Sequence, residues 1–284
     1  MRILFFGNAR ASVLTVRSLT SKNHRIMAIS PFGGPGHEWH ESLQDECESL
    51  GIECYDFVDP NGEAAIEVYK KFDPEIIISV LYNSILSEEV TSIAPYAINF
   101  HPSLLPSYRG TAPLIWAMVN GEEECGVTAH FMERKVDCGE IVGRRIIPID
   151  DQDTGFDLHN KAALEICDLA EEIINLVENG RLRVLEPLDL VESYFSSKTR
   201  RVNELKPSSQ TCEQIRDIVR ALAPPLPCAW FQSEGVIVKV AAVENFDTED
   251  SGVSNLGITP GFHQIDGYWH IHAIDGILKV SELA

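Results

Sequence analysis

At 284 residues and 44% apolar, the chain can bury a sizeable core and fits one large domain or, better, two. Its formal charge of −20 argues against a nucleic-acid partner, because binding a phosphate backbone needs a Lys/Arg footprint that releases counterions, whereas a small anion needs only a few basic residues in a cleft. No run approaches the roughly 18 continuous apolar residues of a membrane span, and seven scattered cysteines without a CxxC pair or zinc-ligand spacing suit a reducing compartment, so a cytoplasmic chain with no membrane partner and no metal is expected.

The chain opens with an apolar run ended by glycine (RILFFG, 2–7), a helical pattern over 10–22 and a second apolar run over 25–30. A glycine and proline loop (PFGGPG, 31–36), a helix over 38–50, a short strand over 53–57 and a helix over 62–72 follow. The run EIIISVLY (75–82) is nearly all apolar and β-branched, which predicts a central strand covered on both faces. Strands alternating with helices predict an α/β domain with an open, mostly parallel Rossmann-like sheet, whose ligands sit beyond the carboxyl ends of the strands. GNARAS (7–12) is not a GxGxxG fingerprint, so nothing supports dinucleotide binding.

IAPYAIN (93–99) predicts another strand, GVTAHFM (126–132) a further one, and residues 155–180 a long amphipathic helix capped by Asn179-Gly180. Residues 192–209 read as a linker carrying the basic cluster Lys198, Arg200 and Arg201. A helix over 211–222 and a proline break at 224–227 precede short strand-like pieces separated by glycine turns, which predict a small all-β, OB-like barrel. The expected domains are 1–203 and 204–284.

The segment INFHPSLLPSYRG (98–110) carries the chemistry. Strand alternation sends the side chains of Asn99 and His101 to one face. A lone histidine is more often structural than catalytic; here a loop with Arg109 and Gly110 placed for a turn and an anion contact follows it, and Asp137 sits in a VDCG turn after the next strand. A nearby aspartate orients an imidazole and raises its pKa by stabilising the charged form.

The pattern N-x-H-P-S-L-L-P-x-Y-R-G, then G-V-T-x-H, then D-x-G-x-I, closely resembles the formyl-tetrahydrofolate-dependent formyltransferases. That family includes enzymes acting on methionyl-tRNA, glycinamide ribonucleotide and nucleotide-linked amino sugars. The resemblance implies Asn99 as an oxyanion donor, His101 as the acid-base group and Asp137 as its partner. It implies 10-formyltetrahydrofolate as formyl donor, held by Ser84, Ile85 and Leu86 and by Glu133, Arg134, Lys135 and Val136. Ser103, Tyr108, Arg109, Tyr194, Lys198 and Arg200 are the expected acceptor contacts. The expected acceptor is a nucleotide-linked amino sugar, with methionyl-tRNA, an amino acid or a carrier-bound aminoacyl group as alternatives, and a homodimer is compatible. Pro102 and Thr111 depart from the aminoarabinose branch, and the C-terminal β domain departs from the glycinamide branch. The span 204–284 holds five basic against eleven acidic side chains, which opposes RNA binding.

Overall fold

Parallel strands buried on both faces need apolar side chains at every position, and the first half of the chain supplies them. The computed structural model describes residues 1–31, 41–196, 203–245, 259–265 and 267–284, so Lys198 and Arg200 lie outside the described residues. In chain order come β1 (Arg2–Gly7), α1 (Ala9–Ser21), β2 (Arg25–Ile29), α2 (Leu43–Leu50), β3 (Glu53–Tyr55), α3 (Glu63–Phe72), β4 (Ile76–Val80), α4 (Glu88–Thr91) and β5 (Ala97–His101). Then follow β6 (Arg109–Gly110), α5 (Pro113–Val119), β7 (Glu124–Phe131), β8 (Ile141–Pro148), α6 (Gly155–Glu178) and β9 (Tyr194–Phe195). The last elements are α7 (Cys212–Ala221), β10 (Ala229–Ser233), β11 (Val236–Asn245), β12 (Gly261–Ile265), β13 (Tyr268–His272) and β14 (Ile277–Leu283).

The chain divides into two units. The first takes residues 1–110, 125–148 and 160–194; the second takes 111–124, 149–159 and 195–284, so the second unit is not one continuous C-terminal stretch. The first unit is built on a seven-stranded sheet in the order β3-β2-β1-β4-β5-β7-β8. Strands β1 to β5 run parallel, and β7 pairs antiparallel with β5. The order reverses between β1 and β4, the kind of switch point at which such sheets place ligands. All five residues of β4 are buried, as its sequence requires. Asn8 caps α1 by accepting from the Ala9 amide, and Ser42 caps α2 by accepting from Asp45. Phe6 meets Tyr69 and Tyr82 edge-on at ring separations of 5.5 and 5.3 Å, in an apolar cluster that Leu86 and Met132 also join.

The second unit carries an antiparallel sheet in the order β10-β11-β14-β13-β12, bent by a bulge around Ala242, together with α5 and α7. The five strands of this sheet are the ones that the alternating C-terminal segments predict. No described helix is long and apolar enough to cross a membrane.

Besides the two-residue strands β6 and β9, three elements are not anticipated by the sequence pattern. Helix α4 has four residues, α5 is apolar on every side behind a Pro at its start, and β8 breaks its apolar pattern at Gly143-Arg144-Arg145. None of them shows the amphipathic or alternating pattern that marks an element in the sequence. The stretch 192–209 is also no simple linker: β9 pairs with β6, and Ser193 is tied by hydrogen bonds to the 106–109 backbone.

Tyr69 tests the core. Its side chain is fully buried, and its hydroxyl has no hydrogen-bond partner among the described residues. Tyr69→Phe is therefore expected to leave unfolding stability unchanged or raised by up to about 1 kcal/mol, whereas Phe6→Ala should lose about 3–5 kcal/mol. Urea denaturation checks both; a loss above about 2 kcal/mol for Tyr69→Phe would mean that the hydroxyl is bonded.

Candidate active site

Asn99 and His101 lie within the carboxyl end of β5, not past it, and the alternation of the strand sends both side chains to one face. The antiparallel neighbour β7 sets His130 opposite Asn99 and Thr128 opposite His101. Thr128 accepts from the Leu105 amide at 3.1 Å and donates to the Ser103 carbonyl at 2.6 Å, which pins the loop leaving β5. Asp137 comes back to the same place after β7. It is buried, with φ of +54°, a conformation sparsely used by residues with a side chain. Gly139 makes that return possible: a Cβ there would lie 1.9 Å from the Phe131 carbonyl oxygen.

One carboxylate joins the parts. Asp137 Oδ2 accepts from the Gly110 amide at 2.9 Å, while Oδ1 stands 3.6 Å from both His101 Nδ1 and His130 Nε2. The peptide carbonyl of Asp137 accepts from Arg109 Nε at 2.8 Å. His101 Nε2 lies 2.9 Å from the Tyr108 carbonyl, an acceptor only, so Nε2 carries a proton and Nδ1 is the ring atom left to take one. The same bookkeeping gives His130 a proton on Nδ1, donated to the Phe131 carbonyl at 2.8 Å. Its Nε2 then accepts from Asn99 Nδ2 at 3.2 Å. The second N–H of the Asn99 amide is thereby aimed by His130. The sequence reading gave His130 no role; the signal that finds it is the antiparallel β5–β7 pairing.

Burial pulls the His101 pKa below its ordinary value of 6.5, against Asp137 and the Tyr108 carbonyl, which raise it, and with His130, which lowers it further. This corrects the expectation of a raised imidazole. Desolvation of a fully enclosed ring outweighs one carboxylate that stands beyond hydrogen-bond distance. Burial on its own would raise Asp137, but the His130 contact, the His101 charge and the Gly110 amide together hold its carboxyl below the ordinary 3.8.

The other expected site residues divide by position. Ser103 is buried with its hydroxyl donated to the Ser107 carbonyl, and Tyr108 contributes through its backbone. Ser84 and Ile85 are exposed, and their segment is braced by Asn61, which donates to the Ile85 carbonyl and accepts from the Ser87 amide. Leu86 packs on the same apolar cluster as Met132, the residue before Glu133. Arg134, Lys135 and Val136 open onto a cavity of about 560 Å³ shared with Arg109 and Tyr194. Glu133 lines a neighbouring cavity of about 600 Å³ with Asp137 and Arg109. Among the described residues no group of His, Cys, Asp and Glu is arranged to hold a metal ion.

Residues 40–167 match the family described as formyl transferase, and residues 206–284 match the formyl transferase C-terminal domain. The methionyl-tRNA formyltransferase of Caldanaerobacter subterraneus subsp. tengcongensis is 29% identical over 89% of this chain and 84% of its own length. The N-formyltransferase of Helicobacter canadensis, solved with folinic acid and dTDP-3-aminofucose, superposes with a TM-score of 0.77 at 20% identity over 99% of both chains. WlaRD, a sugar 3N-formyl transferase solved with dTDP and 5-N-formyl-THF, gives 0.74 at 20% identity over 100% of this chain and 99% of its own. At such identities the likeness of the solved structures speaks to the fold.

In NMR titration His101 should titrate below 6.5, and Asp137→Asn should lower it further by removing the charge that raises it. Because the folded-state value is lowered, the neutral ring is the folded form at neutral pH, and stability is lost as pH falls below the unfolded value of 6.5. A midpoint that rises or stays fixed in Asp137→Asn would contradict the coupling.

Proposed function

The chain belongs to the formyl transferase family, and from that premise we propose that it transfers a formyl group from 10-formyltetrahydrofolate to the primary amine of a nucleotide-linked amino sugar. The observation that carries the chemistry is the meeting of half-buried Asn99 with buried His101 and Asp137 at the end of β5, beside the cavity lined by Arg109, Arg134 and Lys135. The fit to a folate is one of surface: Ile85 and Val136, one on each implied segment, leave large apolar side chains exposed at 72% and 39%, which suits a flat heteroaromatic ring. The folate, when bound, supplies the activated formyl carbon.

The residues then divide the work. Negative charge develops on the formyl oxygen as the amine adds, and the Asn99 N–H left over from His130 is a fixed donor for it. The amine must lose a proton and the leaving nitrogen must gain one. His101 holds that proton at Nδ1, where Asp137 Oδ1 faces the charge so formed, while the Tyr108 carbonyl keeps the other nitrogen protonated. A lowered pKa keeps the ring neutral, and so able to accept, at neutral pH.

The acceptor follows from charge. In a chain of 43 acidic and 23 basic side chains, a cavity bearing two arginines and a lysine against one glutamate is of locally reversed sign. Arg109 already bonds Glu192 at 2.9 Å, whereas no ion pair engages Arg134 or Lys135 among the described residues. Two or three cations suit a diphosphate, and Tyr194, 64% exposed on the same cavity, offers a face to a base. The tRNA relative supports a second reading, which the net charge of −6 over 204–284 opposes. The reading keeps a cytoplasmic location, in line with seven free cysteines.

Purified Asn99→Ala and His101→Ala should each lose on the order of a hundredfold or more in kcat with folding intact. Near-normal turnover in either would remove that residue from the chemistry. In a panel of nucleotide-linked amino sugars and initiator methionyl-tRNA assayed with one formyl donor, kcat/KM should be highest for a sugar nucleotide. A preference for the tRNA over every sugar would overturn the acceptor assignment.

A further inference from the structure

The loop that meets His101 does not hold its own shape. Tyr108 sits at φ of +58°, in the left-handed region that costs a residue with a Cβ and suits glycine. Two peptide groups on its carboxyl side are nevertheless committed: the Tyr108 carbonyl accepts from His101 Nε2 at 2.9 Å, and the Gly110 amide donates to Asp137 Oδ2 at 2.9 Å. What keeps this strained turn closed comes from a distant stretch of chain. Ser193 Oγ accepts from the Tyr108 amide at 2.7 Å, and the Ser193 carbonyl accepts from the Arg109 amide at 3.0 Å. Two neighbouring bonds extend the seam, from Ser107 Oγ to the Val191 carbonyl at 2.7 Å and from the Ser193 amide to the Pro106 carbonyl at 3.4 Å.

We propose that Ser193 is a positioning residue for His101, clamping the Tyr108–Arg109 backbone in the conformation that presents one carbonyl to His101 and one amide to Asp137. Only one of its two contacts with the turn uses the side chain. Ser193→Ala removes the acceptor for the Tyr108 amide and leaves the rest of the seam. The turn then relaxes toward negative φ, the Tyr108 carbonyl swings off His101, and Nε2 no longer has an acceptor to fix its proton. The histidine keeps its place in the strand but loses its set tautomer. Loss of that carbonyl also removes one of the two contacts that raise the His101 pKa, so the ring should titrate at lower pH.

The kinetic part of this inference rests on the formyl-transfer reading; the spectroscopic part does not. With ¹⁵N-labelled full-length protein, Ser193→Ala should turn a single Nε2–H tautomer of His101 into a mixture and move its titration to lower pH. Ser193→Thr, which keeps the hydroxyl, should recover both. Adding Tyr108→Gly to Ser193→Ala should also recover them, because glycine adopts the positive φ without a clamp. In turnover, Ser193→Ala should lower kcat by roughly 10- to 100-fold, as small misplacements of reacting groups do, with the acid limb of the pH profile moved down and KM within about twofold. An unchanged His101 tautomer and titration would overturn the proposal. So would a raised KM for the nucleotide with an unchanged pH profile, which would make Ser193 a substrate contact in the Arg109 cavity. If the wild type formylates nothing but the titration still responds to Ser193→Ala, the clamp stands and the formyl-transfer reading falls.

Discussion

A buried carboxylate is the constraint on which the site depends. An unpaired carboxylate in an apolar setting costs several kcal/mol, so Asp137 can stay ionised only if partners converge on it. Three places contribute: the Gly110 amide from the loop after β5 donates to Oδ2, while His101 from β5 and His130 from β7 stand 3.6 Å from Oδ1, where a proton taken up at His101 Nδ1 supplies the opposite charge. The two histidines are fixed by the β5–β7 pairing, and Gly110 by the pairing of β6 with β9. The carboxyl then converts a set of separately placed groups into one electrostatic unit, which is why its own pKa is held low despite its burial.

The one antiparallel pairing next to β5 makes that convergence possible. A parallel neighbour would put another run of apolar side chains beside Asn99; β7 instead sets His130 directly across from it and returns the chain within six residues of Phe131 to Asp137. So tight a return comes with backbone strain, seen as positive φ at Tyr108 and Asp137. Gly110 and Gly139 serve the same geometry, the first with φ of +95° and the second by close approach to Phe131.

Much of this was legible in the residues. Strands β1, β2, β4 and β5 show as apolar runs because they are largely buried inside the sheet, and Asn99 and His101 show as a pair because a strand has period two. The five C-terminal strands were marked by glycine turns and alternation. What stayed hidden depends on long-range pairing or on backbone atoms. His130 gains its role only from its partner across the sheet, and the Ser193 clamp is made largely of amides and carbonyls that leave no trace in side-chain pattern. The direction of the His101 shift was misjudged because proximity to Asp137 is readable from motifs and complete burial is not. Arg134, Lys135 and Val136, the segment expected to hold the folate, line one cavity with Arg109 and Tyr194, a convergence that depends on the fold of the 192–194 stretch.

The central claim is that His101 and Asp137 act as a unit in formyl transfer. It is tested most directly by a double-mutant cycle on turnover of a formyl donor and a nucleotide-linked amino sugar, using His101→Ala, Asp137→Ala and the pair together. Residues that act as one are grossly non-additive, so the double variant should be little slower than His101→Ala alone. Losses that multiply, with the double variant slowed by the product of the two single effects, would contradict the account.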